Sequence, residues 1–169
     1  MAITEDLATI VRQEVELQFP KFDCDTAWRL GLSLRELAIF RKQSIVIDIR
    51  RFGQPHQQLF YTALAGTTPD NQRWVQRKIN VVARFHRPSY AIGLQLEQAN
   101  RTFSDRYNLP DADYAPHGGC FPIHVAGTGI IGSVTVSGLP QREDHNLVVE
   151  ALCLELHKDL NTLRLTPPQ

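Results

Sequence analysis

Two stretches of this chain restrict its fold more than any others. In "SIVIDIRRFGQPHQQLFYTAL", Ile45, Ile47 and Ile49 share one face of an extended backbone, while Asp48 and Arg50 take the other. The turn signal Gly53-Gln54-Pro55 then sends the chain back through Leu59 to Leu64. "CFPIHVAGTGIIGSVTVSG" does the same around Gly127-Thr128-Gly129. Ile130, Gly132, Val134 and Val136 face one side there, and Ser133, Thr135 and Ser137 face the other. Both are β-hairpins, and a hairpin pairs its strands antiparallel. The fold class is therefore α+β rather than a wound parallel sheet. One apolar and one polar face per strand predicts helices packed on one side of the sheet.

Helical spacing surrounds the hairpins. A first helix is expected over 4–17, with Thr4 as its cap. A second covers about 25–42, with Ala27, Leu30, Leu34, Leu37 and Ala38 on its apolar side. A third follows Pro69 and runs to about His86, where Pro88 interrupts it. A short helix continues over 89–100, and the last runs from Pro140 to about Leu160. Residues 101–119 are polar, hold two prolines and read as the longest loop. "TPPQ" closes the chain as a short tail.

At 169 residues, with 43% hydrophobic and 21% charged residues, the composition fits one globular domain spanning 1–169. Lys+Arg is 18 and Asp+Glu is 18, so the formal net charge is zero. That excludes a surface built as a whole for nucleic acid and permits self-association. Three cysteines without regular spacing form no disulfide framework. No apolar run is long enough for a membrane span, and the start lacks a signal-peptide core, so the expected compartment is cytoplasmic.

"VSGLPQREDH" places Ser137, Asp144 and His145 close together and raises the question of a hydrolase. A nucleophile elbow needs glycines two residues either side of its serine, and Thr135 and Leu139 stand there instead. Adjacent residues on a helix diverge by about 100°, so Asp144 cannot orient His145. The stretch reads better as a strand-to-helix joint. Gly138 permits the sharp turn, Pro140 suits a first helical turn, and Glu143 and Asp144 suit the dipole. Free N–H groups at such a start can hold an anion.

"DNQRWVQRKINVVARFHRP" carries a basic stripe of Arg73, Arg77 and Arg84 beside Trp74, Lys78, Val81 and Phe85. A flat anionic ligand fits such a pair of stripes. So does the plainer reading, in which the arginines are solvated or meet Glu97, Asp105, Asp111 and Asp113. No second basic element or aromatic platform points to nucleic acid. The six histidines show no metal-site spacing, although His117 and His124 could each meet an iron or zinc ion.

"RWVQRKINVVARFHRPSYAIGLQL" and "GGCFPIHVAGTGIIGSVTVSGLPQREDHNLVVEAL" closely resemble an uncharacterised protein family beside the GlcG/HbpS-like haem-degrading domains. With the first hairpin, the resemblance covers most of the chain. It implies a profilin-like fold, a five-stranded antiparallel sheet with helices on its faces. It also implies homo-oligomers and, in related branches, haem at the oligomer surface. The best motif matches are Trp74, Arg77, Lys78, Phe85, Gly118, Gly119, Ser137, Gly138, Asp144 and His145.

The expected role is non-catalytic: binding a small anionic ligand, haem included, or a protein partner. The expected site lies between the third helix and the start of the last, drawing on Trp74, Arg77, Lys78, Gly118, Gly119, Ser137, Gly138, Asp144 and His145. Arg77 and Lys78 would pair with the ligand's carboxylates. Two alternatives stand beside it: a haem-degrading or other cofactor-dependent enzyme using His145 or His117, and an oligomeric scaffold or adaptor. No metal site, nucleic acid or membrane enters the reading.

Overall fold

The computed structural model describes residues 2–166; most of the short tail lies outside them. The elements run α1 (Ala2–Glu16), β1 (Gln18–Phe19), α2 (Cys24–Phe40), β2 (Val46–Arg51), β3 (Gln57–Ala63) and α3 (Pro69–Phe85). They continue with α4 (Ser89–Gln98), α5 (Phe103–Tyr107), β4 (Cys120–Val125), β5 (Gly129–Ser137), α6 (Gln141–Leu156) and α7 (Leu160–Leu163).

The strands form one sheet in the order β1-β4-β5-β2-β3. Both hairpins are present, and β2 joins them by pairing antiparallel with β5. The all-antiparallel expectation needs one correction. The fifth strand, β1, pairs parallel with β4, matching Gln18 to His124 and Phe19 to Val125. It arrives from the N-terminal helix, and no hairpin ties it to β4, so no turn reverses its direction.

Helix positions follow local chemistry with small shifts. Thr4 lies inside α1 and does not cap it. Asp23 caps α2, accepting the Thr26 N–H at 2.8 Å. Inside the stretch expected to be loop, Thr102 caps the short α5, accepting the Asp105 N–H.

Helices cover both faces of the sheet, which corrects the one-sided packing expected from strand alternation. Ile47, Ile49, Phe121, Ile123, Val134 and Val136 pack under α2 and α6 with Leu30, Leu34, Val148 and Leu152. On the opposite face α3 seals Val46 and Cys120 with Val75, Ile79 and Val82. Of the polar strand residues on this face, Asp48 and Thr135 tolerate burial because they are paired, while the Ser133 hydroxyl has no partner among the described residues. Asp48, fully buried, accepts from Arg50 Nε at 2.8 Å and Gln58 Nε2 at 2.7 Å. Arg50 in turn donates to Gln76 Oε1 of α3 at 2.6 Å. Burial pushes the Cys120 thiol up to about 12, so it stays protonated in this interior.

A lysine–aspartate cleft between α3 and α6

The end of β5 and the start of α6 form a corner against α3. Gly138 makes the corner at φ +152, a conformation that suits glycine. The next residues lead into α6, whose first turn carries Asp144 and His145. Their side chains leave the helix in different directions and serve different layers.

Asp144 turns toward α3. Its Oδ2 lies 2.9 Å from Lys78 Nζ, and its Oδ1 accepts the Leu139 N–H at 3.0 Å. Lys78 Nζ also donates to the Val136 carbonyl at 3.1 Å. Lys78 is 3% exposed and Asp144 1% exposed, so the pair is desolvated. Burial drives the Asp144 carboxyl up to about 6, and the Lys78 charge and backbone N–H groups only partly offset it. The Leu139 N–H just before α6 is thus taken by the chain's own carboxylate.

Gly119, at φ +122, packs against this pair. A Cβ there would fall 2.8 Å from Lys78 Nζ and 3.0 Å from Asp144 Cβ. Gly118 meets the backbone of Gln141 as closely. The paired glycines let the segment leading into β4 touch the start of α6.

His145 turns away from α3. Its Nε2 meets Gln13 Oε1 of α1 at 2.8 Å, while Gln13 Nε2 donates to the Leu163 carbonyl at 2.6 Å. Gln13 thus presents an acceptor, and His145 must carry its proton on Nε2. Its Nδ1 is buried without a partner. Burial, aided by the nearby Arg142 charge, lowers the imidazole to about 3. His145 is a neutral tie between α1, α6 and α7, set apart from the cleft described next.

A cleft of about 410 Å³ opens beside the ion pair, lined by Asn71, Trp74, Lys78, His117, Ser137, Gly138, Leu139, Gln141 and Asp144. It lies between α3 and the start of α6. Trp74, Lys78, Ser137, Gly138 and Asp144 of the expected residues line it, and Gly118 and Gly119 support it from behind. Arg77 stands at the rim, stacked 4.7 Å from the Trp74 ring centre and donating to the Asp111 carbonyl at 2.6 Å. Lys78, expected to meet a ligand with a free charge, is instead engaged by Asp144.

His117 meets the Trp74 ring edge-on at 5.4 Å. Its outer side is open to solvent and its inner side is crowded. That crowding, followed by the charge of Lys78, lowers its imidazole below the usual range, with a smaller contribution from Arg77. Asn71, Leu139 and Gln141 were not legible as site residues. The only sequence signal was their position in the first turn of one helix and the approach to another.

A larger hollow of about 560 Å³ lies along α6 and includes Arg41, Arg142 and Arg164. Two of these arginines are already bidentate, Arg41 to Glu150 and Arg142 to Asp6. Arg41 ties α2 to α6 and Arg142 ties α1 to α6, so two of the three arginines are not free for a ligand, and the α3–α6 cleft is the better candidate.

Known proteins share both the sequence and the fold. A family model described as haem degrading protein HbpS-like matches residues 22–153. A UPF0303 protein of Paraburkholderia phymatum is 57% identical over 165 residues, 98% of each chain. The crystal structure of the Ybr137w protein superposes with a TM-score of 0.82 at 26% identity, covering 93% of both chains. A PduOC:Heme complex superposes with a TM-score of 0.66 at 12% identity, covering 78% of this chain and 93% of its own. At that identity the likeness concerns the fold alone. The extent of the family match and the identity to the UPF0303 protein together place the chain: it belongs to the HbpS-like family of haem-degrading-protein relatives, among its UPF0303 members.

Proposed function

We propose that this is a non-catalytic, cytoplasmic binding protein that works as a homo-oligomer and holds a small anionic ligand between α3 and the start of α6. The observation that carries the reading is the cleft itself. It gathers side chains from four separate segments around an aromatic wall and a buried ammonium group. Its carboxylate is engaged by Lys78 and the Leu139 N–H and so is not a free base. Self-association draws support from zero net charge and from exposed apolar side chains, notably Phe40 at 87% and Val15 at 66%.

Haem is the first ligand to test, because the family description names it and a structural neighbour is a haem complex. The residues present fit it in two respects. His117 offers a neutral ring nitrogen at the cleft, and Lys78 has an N–H left over from Asp144 and the Val136 carbonyl for a propionate. When bound, haem would supply the iron that His117 meets. Titration with haem, followed by absorbance, should give a Soret shift that is lost in His117→Ala. No shift at micromolar haem would remove haem from the reading. Native mass spectrometry of the purified protein then reports subunit number and any other retained ligand together.

A further inference from the structure

We propose that the cleft is shaped for the carboxylate of a small planar organic acid, with the acid's ring against Trp74 and its oxygens on Ser137 Oγ and Lys78 Nζ. The inference rests on the cleft being the ligand site and goes on to name the class of ligand.

The cleft has spare donors and few spare acceptors. Lys78 carries three N–H groups, and the Val136 carbonyl and Asp144 use two of them. Ser137 is 4% exposed, lines the cleft, and its hydroxyl has no partner among the described residues. Its hydroxyl is not closed off in the interior, so it can donate to an acceptor in the cleft. Val136, whose carbonyl holds Lys78, is the residue before Ser137, so both donors sit at this end of β5 and line one cleft. Asn71 gives its oxygen to the Thr68 N–H at 2.9 Å, which leaves its NH2 end as a third donor. On the acceptor side, both Asp144 oxygens are engaged, by Lys78 and by Leu139. Gln141 Oε1 is engaged as well, by the Gly118 N–H at 3.2 Å. Apart from the His117 ring nitrogen, these side chains leave donors over, and two donors suit the two oxygens of a carboxylate.

Charge agrees with this. Among the lining residues Lys78 and Asp144 cancel, and Arg77 adds a cation over Trp74 at the rim. Burial first, and then Lys78 and Arg77, disfavour the charged form of His117, in line with that sign. The wall is flat. Trp74 lines the cleft and is braced by Arg77 at 4.7 Å and by His117 at 5.4 Å. A planar ring gains most from such a surface.

The probes are benzoate, benzamide, phenyl phosphate and haem, added to the full-length protein. Binding is followed by calorimetry and by the amide resonances of Asn71, Gly138 and Leu139. Benzoate should shift those resonances and bind at least about tenfold tighter than benzamide. Ser137→Ala should weaken benzoate by about tenfold or more, and Trp74→Leu should weaken benzoate and benzamide alike. Equal affinity for benzoate and benzamide, or unchanged affinity in Ser137→Ala, overturns the carboxylate assignment. Tighter binding of phenyl phosphate by tenfold or more also overturns it and assigns a phosphoryl group. If haem alone binds, with a Soret shift lost in His117→Ala, the planar-acid proposal fails and the cleft remains the ligand site. If no probe moves the three amides, both readings fail.

Discussion

Asp144 and His145 are neighbours in sequence, yet their titrations should act on stability with opposite signs. His145 is lowered to about 3 from 6.5, by burial and by Arg142. The unfolded chain therefore takes up this proton first. The contribution of His145 is complete above pH 6.5 and is lost as pH falls toward 3. A displacement of one pH unit is worth about 1.4 kcal/mol, so the full window holds roughly 5 kcal/mol. Asp144 is raised from 3.8 to about 6 because burial outweighs the attraction of Lys78. Here the folded state holds the proton more tightly. The contribution of Asp144 is complete below pH 3.8 and is lost as pH rises through 6, roughly 3 kcal/mol in all. Between these values the two slopes oppose each other and nearly cancel. Asp144→Asn keeps an oxygen for the Leu139 N–H and removes one titration. Urea unfolding followed by circular dichroism, at about pH 4, 5, 6 and 7, reads the outcome. The deficit of Asp144→Asn against the wild type should grow by roughly 3 kcal/mol from neutral pH to about pH 4. The deficit of His145→Gln should shrink by a similar amount over the same interval. Parallel profiles for the wild type and Asp144→Asn would refute the reasoning, since the folded protein would then hold no extra proton there.

Lys78→Met strands Asp144 in the interior and should cost about 3–5 kcal/mol in urea unfolding, part of which Asp144→Leu in the same chain should restore. Cys24 is exposed, whereas Cys120 and Cys153 are buried and raised to about 12 and about 11 by desolvation. A thiol reagent should therefore label one cysteine quickly in the native protein and all three in denaturant. Phe40 ends α2 at 87% exposure. Phe40→Lys should change stability by no more than about 0.5 kcal/mol, while light scattering should report a lower assembly mass if this face joins subunits.

The parts of the fold that were legible are those fixed locally. Alternation at Ile45, Ile47 and Ile49, with a turn at Gly53-Gln54-Pro55, is enough to specify a hairpin, and α3 between Pro69 and Pro88 is bounded by its own punctuation. The missed parts depend on distant residues. Gln18 and Phe19 are too few to show any period, and they become a strand only because β4 offers an edge. The polar faces of β2 and β5 looked solvent-facing because alternation reports polarity and not burial. Asp48 needs Arg50, Gln58 and Gln76 to be hidden at low cost, and the last of these comes from α3. The cleft was legible in outline, since Trp74, Lys78, Ser137 and Asp144 all stood out. What the sequence did not reveal was that Lys78 and Asp144 satisfy each other.

That mutual satisfaction changes what the joint between β5 and α6 can do. With Lys78 and Asp144 closed on each other, an incoming anion cannot take the full charge of the lysine. Such a ligand has to take the donors the ion pair leaves over. Those donors, the third N–H of Lys78 and the hydroxyl of Ser137, belong to α3 and β5 respectively. A ligand oxygen between them therefore adds a bond across the same contact that the ion pair already closes. Because Asp144 and His145 occupy one helical turn, tightening that contact also bears on the Gln13 tie to α1 and α7. Ligand binding should then slow amide exchange at Gln13 and Leu163 as well as at the cleft. Protection confined to Asn71, Gly138 and Leu139 would show that the two faces of this turn act independently.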